Sequence, residues 1–122
     1  MQSHILLASD ETCIRDLMTT ILTKAGYRIT SVRNGAVAVS KLLSDQADFA
    51  LAILDGQLPP ISGNRTLAIL REAGCQLPII LASGSFIVGE IPLSDPRVVF
   101  LSKPFRPAEL LEAVERLLQE RN

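Results

Sequence analysis

The sequence has no excess of positive charge. Twelve lysines and arginines face 13 aspartates and glutamates, for a formal net charge of −1. Bulk binding to nucleic acid needs a basic face that displaces the counterions of the phosphate backbone, so that class is disfavoured. Long hydrophobic runs are missing too: none approaches the ~20 residues a membrane-spanning helix requires. The N-terminus, Met1-Gln-Ser-His4, lacks the basic region and cleavage site of a secretory signal, so a cytoplasmic location is expected. Cysteine is scarce. Cys13 and Cys75 form no metal-type cluster, each lies in a helical stretch, and both are read as reduced thiols. The one histidine, His4, stands alone near the terminus and gives little support to a metal role. There are no internal repeats, low-complexity segments or linkers.

What is present is an apolar, alternating chain. Hydrophobic residues make up 48% and charged residues 20%, which excludes disorder as the default. A length of 122 residues fits one domain spanning 1–122. Residues 4–8 read as a strand. Residues 11–25 carry Ile14, Leu17, Met18, Ile21 and Leu22 at helical spacing, and Gly26 closes that helix. Tyr27 to Val32 is a short strand, Asn34-Gly35 a turn, and 36–44 a helix. Residues 49–54 are a continuous apolar strand. Gly63 opens a helix that carries Leu67, Ile69 and Leu70 and stops at Gly74. Leu77 to Ala82 and Val98 to Leu101 are the last two strands. Pro107 begins a final helix with Leu110, Leu111, Val114, Leu117 and Leu118 on its inner face and a Glu112–Arg116 pair outside. This order predicts parallel βαβ units, with continuous apolar strands covered by helices on both faces. The crossover from Ser83 to Arg97 breaks the rhythm. It holds Gly84, Gly89, Pro92 and Pro96, and a proline inside a helix costs about 3 kcal/mol. The fourth helix is therefore expected to be short, distorted or absent.

Four strand ends carry chemically useful residues: Asp10, Asp55, Ser83 and Lys103. In open α/β sheets ligands bind beyond the carboxyl ends of the strands. Two carboxylates there suit a hard cation such as Mg²⁺. A lysine offers a point charge to a phosphoryl oxygen and a hydroxyl offers a hydrogen bond. An aspartate can also act as the nucleophile that forms an aspartyl-phosphate. Each residue has a bland role as well. Asp10 could cap a helix, Asp55 could cap a turn, Ser83 could sit in an ordinary turn and Lys103 could be a solvated charge. It is their co-occurrence that points to a phosphoryl-acceptor site, where catalysis is mostly positioning and charge neutralisation.

At this point the chain resembles the receiver domain of two-component response regulators over nearly its whole length. The resemblance rests on Ile5-Leu-Leu-Ala-Ser-Asp-Glu11, on Leu54-Asp55 with Pro59 and Gly63 in step, on Ala82-Ser83-Gly84 and on Lys103-Pro104-Phe105. It implies a three-layer, flavodoxin-like (βα)5 doubly wound sheet of strand order 2-1-3-4-5, with a cis Lys103–Pro104 bond. It also implies that Asp55 is the phosphoacceptor, and that Mg²⁺ is held by Asp10, Asp55 and the backbone carbonyl of Gln57. Ser83 would be the switch hydroxyl that turns inward to the phosphoryl group, Lys103 the charge that pairs with that group, and Phe100 the rotating aromatic, often a tyrosine in the family. The partners implied are a sensor histidine kinase or histidine phosphotransfer protein and a downstream protein target. The sequence contains neither a DNA-binding helix-turn-helix nor a catalytic output domain, so the signal is expected to pass to a separate protein or along a longer chain.

The departures carry expectations of their own. Receivers usually have two adjacent acids after the first strand, and Ser9 stands where the first would be. Ser9 is read as structural or neutral. Glu11 is expected to begin the helix and point away, so metal affinity should be weaker than usual with the chemistry retained. An irregular fourth helix would remove a surface that many receivers use for partners, which is closer to receivers of hybrid sensor kinases. One alternative is a pseudo-receiver, a protein-interaction module that does not depend on phosphorylation. The other is a flavodoxin-like nucleotide or flavin binder; against it, no glycine-rich loop follows the first strand, and Ser9-Asp-Glu-Thr12 would repel phosphate.

Overall fold

Five short apolar runs become the five strands of one parallel sheet: β1 His4–Ala8, β2 Arg28–Val32, β3 Leu51–Asp55, β4 Ile79–Ser83 and β5 Val98–Ser102. The computed structural model describes residues 3–44, 48–55, 62–83 and 96–119. Spatial order is β2-β1-β3-β4-β5, and every neighbouring pair is parallel. Four helices are seen among the described residues: α1 Thr12–Lys24, α2 Gly35–Ser44, α3 Gly63–Glu72 and α4 Pro107–Gln119. The flavodoxin-like architecture and the strand order expected from sequence are those observed. The expected irregular fourth helix falls on residues 84–95, outside the described residues.

Strand side chains alternate between faces, and this alternation sorts the core into two layers. Leu6, Ala8, Ala52, Leu54, Ile79 and Leu81 pack on the side that carries α2 and α3, with Ala38, Leu42, Leu67 and Leu70. Ile5, Leu7, Leu51, Ile53, Ile80 and Ala82 pack on the other side, with Met18 and Leu22 of α1 and Leu110, Val114 and Leu117 of α4. All five residues of β3 are buried, as a central parallel strand covered twice must be. Each fully buried Leu or Ile contributes roughly 1.5–3 kcal/mol relative to exposure.

The helix ends follow from local chemistry. Ser62 accepts a hydrogen bond from the Arg65 N–H at 3.1 Å, and Asn34 Oδ1 accepts one from the Val37 N–H at 2.8 Å. Arg106 N–H donates to Glu109 Oε1 at 3.0 Å across the start of α4. Gly26 and Gly74 adopt φ of 101° and 86°, which end α1 and α3 in the region that glycine enters without strain.

Three expectations change. Both central strands run one residue later than read, so that Asp55 and Ser83 end β3 and β4 rather than follow them. They also begin two residues later: Pro78 has no N–H for the ladder, and it enters only through its carbonyl, which accepts from Ala52 N–H at 3.0 Å. Leu17, expected on the buried face of α1, is 56% exposed, because it lies on the flank of the stripe that Met18 and Leu22 centre on the sheet. Cys75 lies beyond the end of α3 rather than in a helix, and it is buried, whereas Cys13 is exposed; both thiols are free.

Candidate functional site

The same alternation that builds the core aims three polar residues at one place. Ile5, Leu7 and Ser9 share a face, as do Leu51, Ile53 and Asp55, and Val99, Leu101 and Lys103. Beyond the carboxyl ends of β1, β3 and β5 those faces converge. Asp55 is 1% exposed. Lys103 Nζ donates to Asp55 Oδ2 at 2.9 Å and Ser9 Oγ donates to the same oxygen at 3.2 Å. A carboxylate this deeply buried would cost several kcal/mol without partners. Here an ammonium and a hydroxyl supply them. The bond between Lys103 and Pro104 is cis, as the resemblance implied.

Ser9 is a centre of the site rather than a neutral position. It is fully buried, its N–H donates to the Val32 carbonyl at 3.1 Å, and its carbonyl accepts from Arg15 Nη1 at 2.9 Å. Its hydroxyl also accepts from the Glu11 N–H at 3.3 Å. Arg15, itself buried, reaches back from the first turns of α1 to hold the loop. Sequence reading missed Arg15, because a lone arginine on an amphipathic helix looks like a solvated charge. The signal for Ser9 was available in its two-residue step from Ile5 and Leu7.

Glu11 corrects an expectation. It stands at the N-cap of α1 with extended backbone, φ −87° and ψ 109°, and its side chain makes no capping hydrogen bond. Rather than pointing away, its Oε1 lies 3.8 Å from Lys103 Nζ. Carboxylate oxygens of Asp10, Glu11 and Asp55 all lie within 4.8 Å of one another. These are hard oxygen donors, two of them on exposed residues that water reaches, and they fit Mg²⁺, which takes a few carboxylates and keeps several waters.

The other expected site residues are distributed as follows. Ser83 ends β4, paired in register with Ser102 of β5. Its side chain lies outside the described residues, as does Gln57. Phe100 is half-buried on the opposite face of β5 from Lys103, packed against the α2/α3 core layer. His4 is remote, at the amino end of β1, where Nε2 lies 2.6 Å from Thr30 Oγ1 and the ring stacks on Phe49 with centroids 4.4 Å apart. Beside the acceptor, an apolar groove of about 380 Å³ runs between α1 and the loop before α4, lined by Ile14, Leu17, Ile21, Phe105 and Pro107 among others.

Comparison with known proteins gives the family and agrees with the fold. Residues 5–115 match the family described as the response regulator receiver domain. The chain is 34% identical over 117 residues to the response regulator receiver protein CpdR of Brucella abortus, covering 94% of this chain and 96% of that one. It is 36% identical over 124 residues to the transcriptional regulatory protein GltR of Pseudomonas aeruginosa, but spans only 48% of that protein's length. Among solved structures, a response regulator receiver protein from Sinorhizobium medicae superposes with a TM-score of 0.86 at 32% identity, covering 99% of this chain and 98% of the other. A CheY-like receiver domain from Methanospirillum hungatei shares the fold, with a TM-score of 0.87 at 24% identity over 98% of this chain and 96% of that one. No helix among the described residues is long and apolar enough to cross a membrane.

Proposed function

The chain belongs to the response regulator receiver domain family, and from that premise we propose that it is a working phosphoacceptor in a two-component relay. The observation that carries this reading is a buried Asp55 carboxylate bonded to Lys103 at 2.9 Å, with the acids Asp10 and Glu11 beside it. In this reading an Asp55 carboxylate oxygen attacks the phosphorus of a phosphohistidine on a kinase or phosphotransfer protein. The P–N bond breaks, and the imidazole leaves with the electron pair and is protonated. Lys103 pairs with a phosphoryl oxygen of the product. Water later hydrolyses the acyl phosphate, which returns the carboxylate and releases inorganic phosphate. Asp10, Asp55 and the backbone carbonyl of Gln57 are the groups that would hold Mg²⁺, which when bound neutralises charge on the phosphoryl group. Ser83 and Phe100 are assigned the switch: the hydroxyl would engage the phosphoryl group and the aromatic would repack in response.

The groove lined by Ile14, Leu17 and Phe105 also supports a protein donor, because it adjoins Lys103 and offers apolar surface that a histidine-bearing partner would cover. The single domain spanning 1–122, the cytoplasmic location and the downstream protein target belong to the same proposal.

The test is incubation with acetyl phosphate and Mg²⁺ followed by intact mass. Wild type should gain one phosphoryl group; Asp55→Asn, or wild type in excess chelator, should gain none. The second reading, a pseudo-receiver, draws on Ser9: Asp55 Oδ2 already accepts from two protein donors, Ser9 and Lys103. A wild type that gains no mass at any Mg²⁺ concentration would select it.

A further inference from the structure

We propose that Glu11 supplies, toward the cation, the acidic side chain that this chain lacks at position 9; the inference rests on the Mg²⁺-dependent reading of the site given above. Serine at 9 offers only a neutral oxygen, and its hydroxyl is already committed to Asp55 Oδ2 and to the Glu11 N–H. Two carboxylates, Asp10 and Asp55, would then remain to face the cation and the Lys103 ammonium. Glu11 brings the number of acids back to three. Its oxygen lies in the same cluster as those of Asp10 and Asp55, all within 4.8 Å of one another. Ligands on opposite sides of a Mg²⁺ ion stand about 4 Å apart at Mg–O distances of about 2.0–2.1 Å, so this spread suits direct contact after a small inward movement, or contact through a bound water.

One further observation separates Glu11 from an ordinary acid at a helix start. Glutamate is not a usual capping residue, and Glu11 makes no capping hydrogen bond, so its carboxylate is not held by α1. Its carboxylate instead approaches Lys103 Nζ at 3.8 Å, the same ammonium that holds Asp55. Ser9 is tied to Glu11 directly, because its hydroxyl accepts the Glu11 N–H at 3.3 Å and so fixes the turn that presents Glu11. At 54% exposure the Glu11 side chain can exchange water for a cation with little rearrangement.

The experiment measures Mg²⁺ dissociation constants of the intact, unphosphorylated chain by calorimetry, with Mn²⁺ binding followed by water-proton relaxation as a second readout. Glu11→Gln should weaken Mg²⁺ binding about tenfold, the scale on which supporting groups of metal sites act. Glu72→Gln, an exposed acid at the far end of α3, should leave it unchanged. Adding Ser9→Asp to Glu11→Gln should restore binding to within about threefold of wild type, which a merely structural Glu11 would not do. If Glu11→Gln binds Mg²⁺ as wild type does while Asp10→Asn is weakened, the assignment of Glu11 fails and the metal-dependent reading stands. If Ser9→Asp does not rescue Glu11→Gln, Glu11 does not take the place of the missing acid. Wild type that binds neither ion at tens of millimolar overturns the inference together with the metal requirement.

Discussion

At the scale of single residues, the account turns on how the buried Asp55 carboxylate is partnered. Removing one partner of a buried charge pair leaves the other uncompensated, and Lys103 is only 20% exposed. Lys103→Ala is therefore expected to destabilise the fold by about 2–4 kcal/mol in urea unfolding, toward the lower side of the range for fully buried pairs. In an Asp55→Asn background the same substitution should cost under about 1 kcal/mol, and equal losses in both backgrounds would contradict the pairing. Ser9→Ala removes one bond to the carboxylate and one to the Glu11 N–H, for an expected loss of about 1–2 kcal/mol. Asp55 and Lys103 were legible in the sequence because a charge that ends an apolar strand is costly without a use; Asp10, which is exposed, was legible through its co-occurrence with them. Ser9 was read only as structural or neutral, without its bond to Asp55, and Glu11 was read at the helix start but with the wrong direction. A serine carries no charge, so only its two-residue step from Ile5 and Leu7 marks its face, and the direction of Glu11 depends on a hydrogen bond between loop residues two apart that no periodicity encodes.

At the scale of elements, the fold was legible because each strand is a continuous apolar run and each helix shows a stripe. The ends were displaced where pairing decides them. Pro78 delays the start of β4, and the ladder carries β3 on through Asp55 to pair with Ala82. Helix α1 shows the limit of reading stripes. Leu17 belongs to the apolar stripe by spacing yet is 56% exposed, on the rim of the groove beside Lys103. Leu17→Glu should change stability by less than about 0.5 kcal/mol, as surface substitutions do. It should slow phosphoryl transfer from a phosphohistidine protein while leaving phosphorylation by acetyl phosphate unchanged. Equal slowing with both donors would remove the groove from partner recognition.

At the scale of the whole molecule, one sheet separates two core layers, with the acceptor at its carboxyl edge and Phe100 on the face away from Lys103. The integrity of the α1/α4 layer has a natural reporter. Tyr27 is the chain's one tyrosine, and there is no tryptophan to obscure it. Its phenol is held above the ordinary value of 10.0, first by burial and then by the nearby Glu115 carboxylate. The folded chain thus keeps a proton that the unfolded chain releases near pH 10, so this group lowers stability as pH rises through that value. Phenolate absorbance of the native protein should titrate above pH 10.0 and return to the ordinary value in denaturant; a native midpoint at or below 10.0 would contradict the packing.

The central claim is that Asp55, and no other residue, takes the phosphoryl group. Treating the chain with acetyl phosphate and Mg²⁺, reducing it with borohydride and mapping the peptides tests it most directly, because an aspartyl phosphate is reduced to homoserine where it forms. The account predicts homoserine at position 55 alone, and none when Mg²⁺ is chelated. An unmodified Asp55, or homoserine at Asp10 instead, would contradict it.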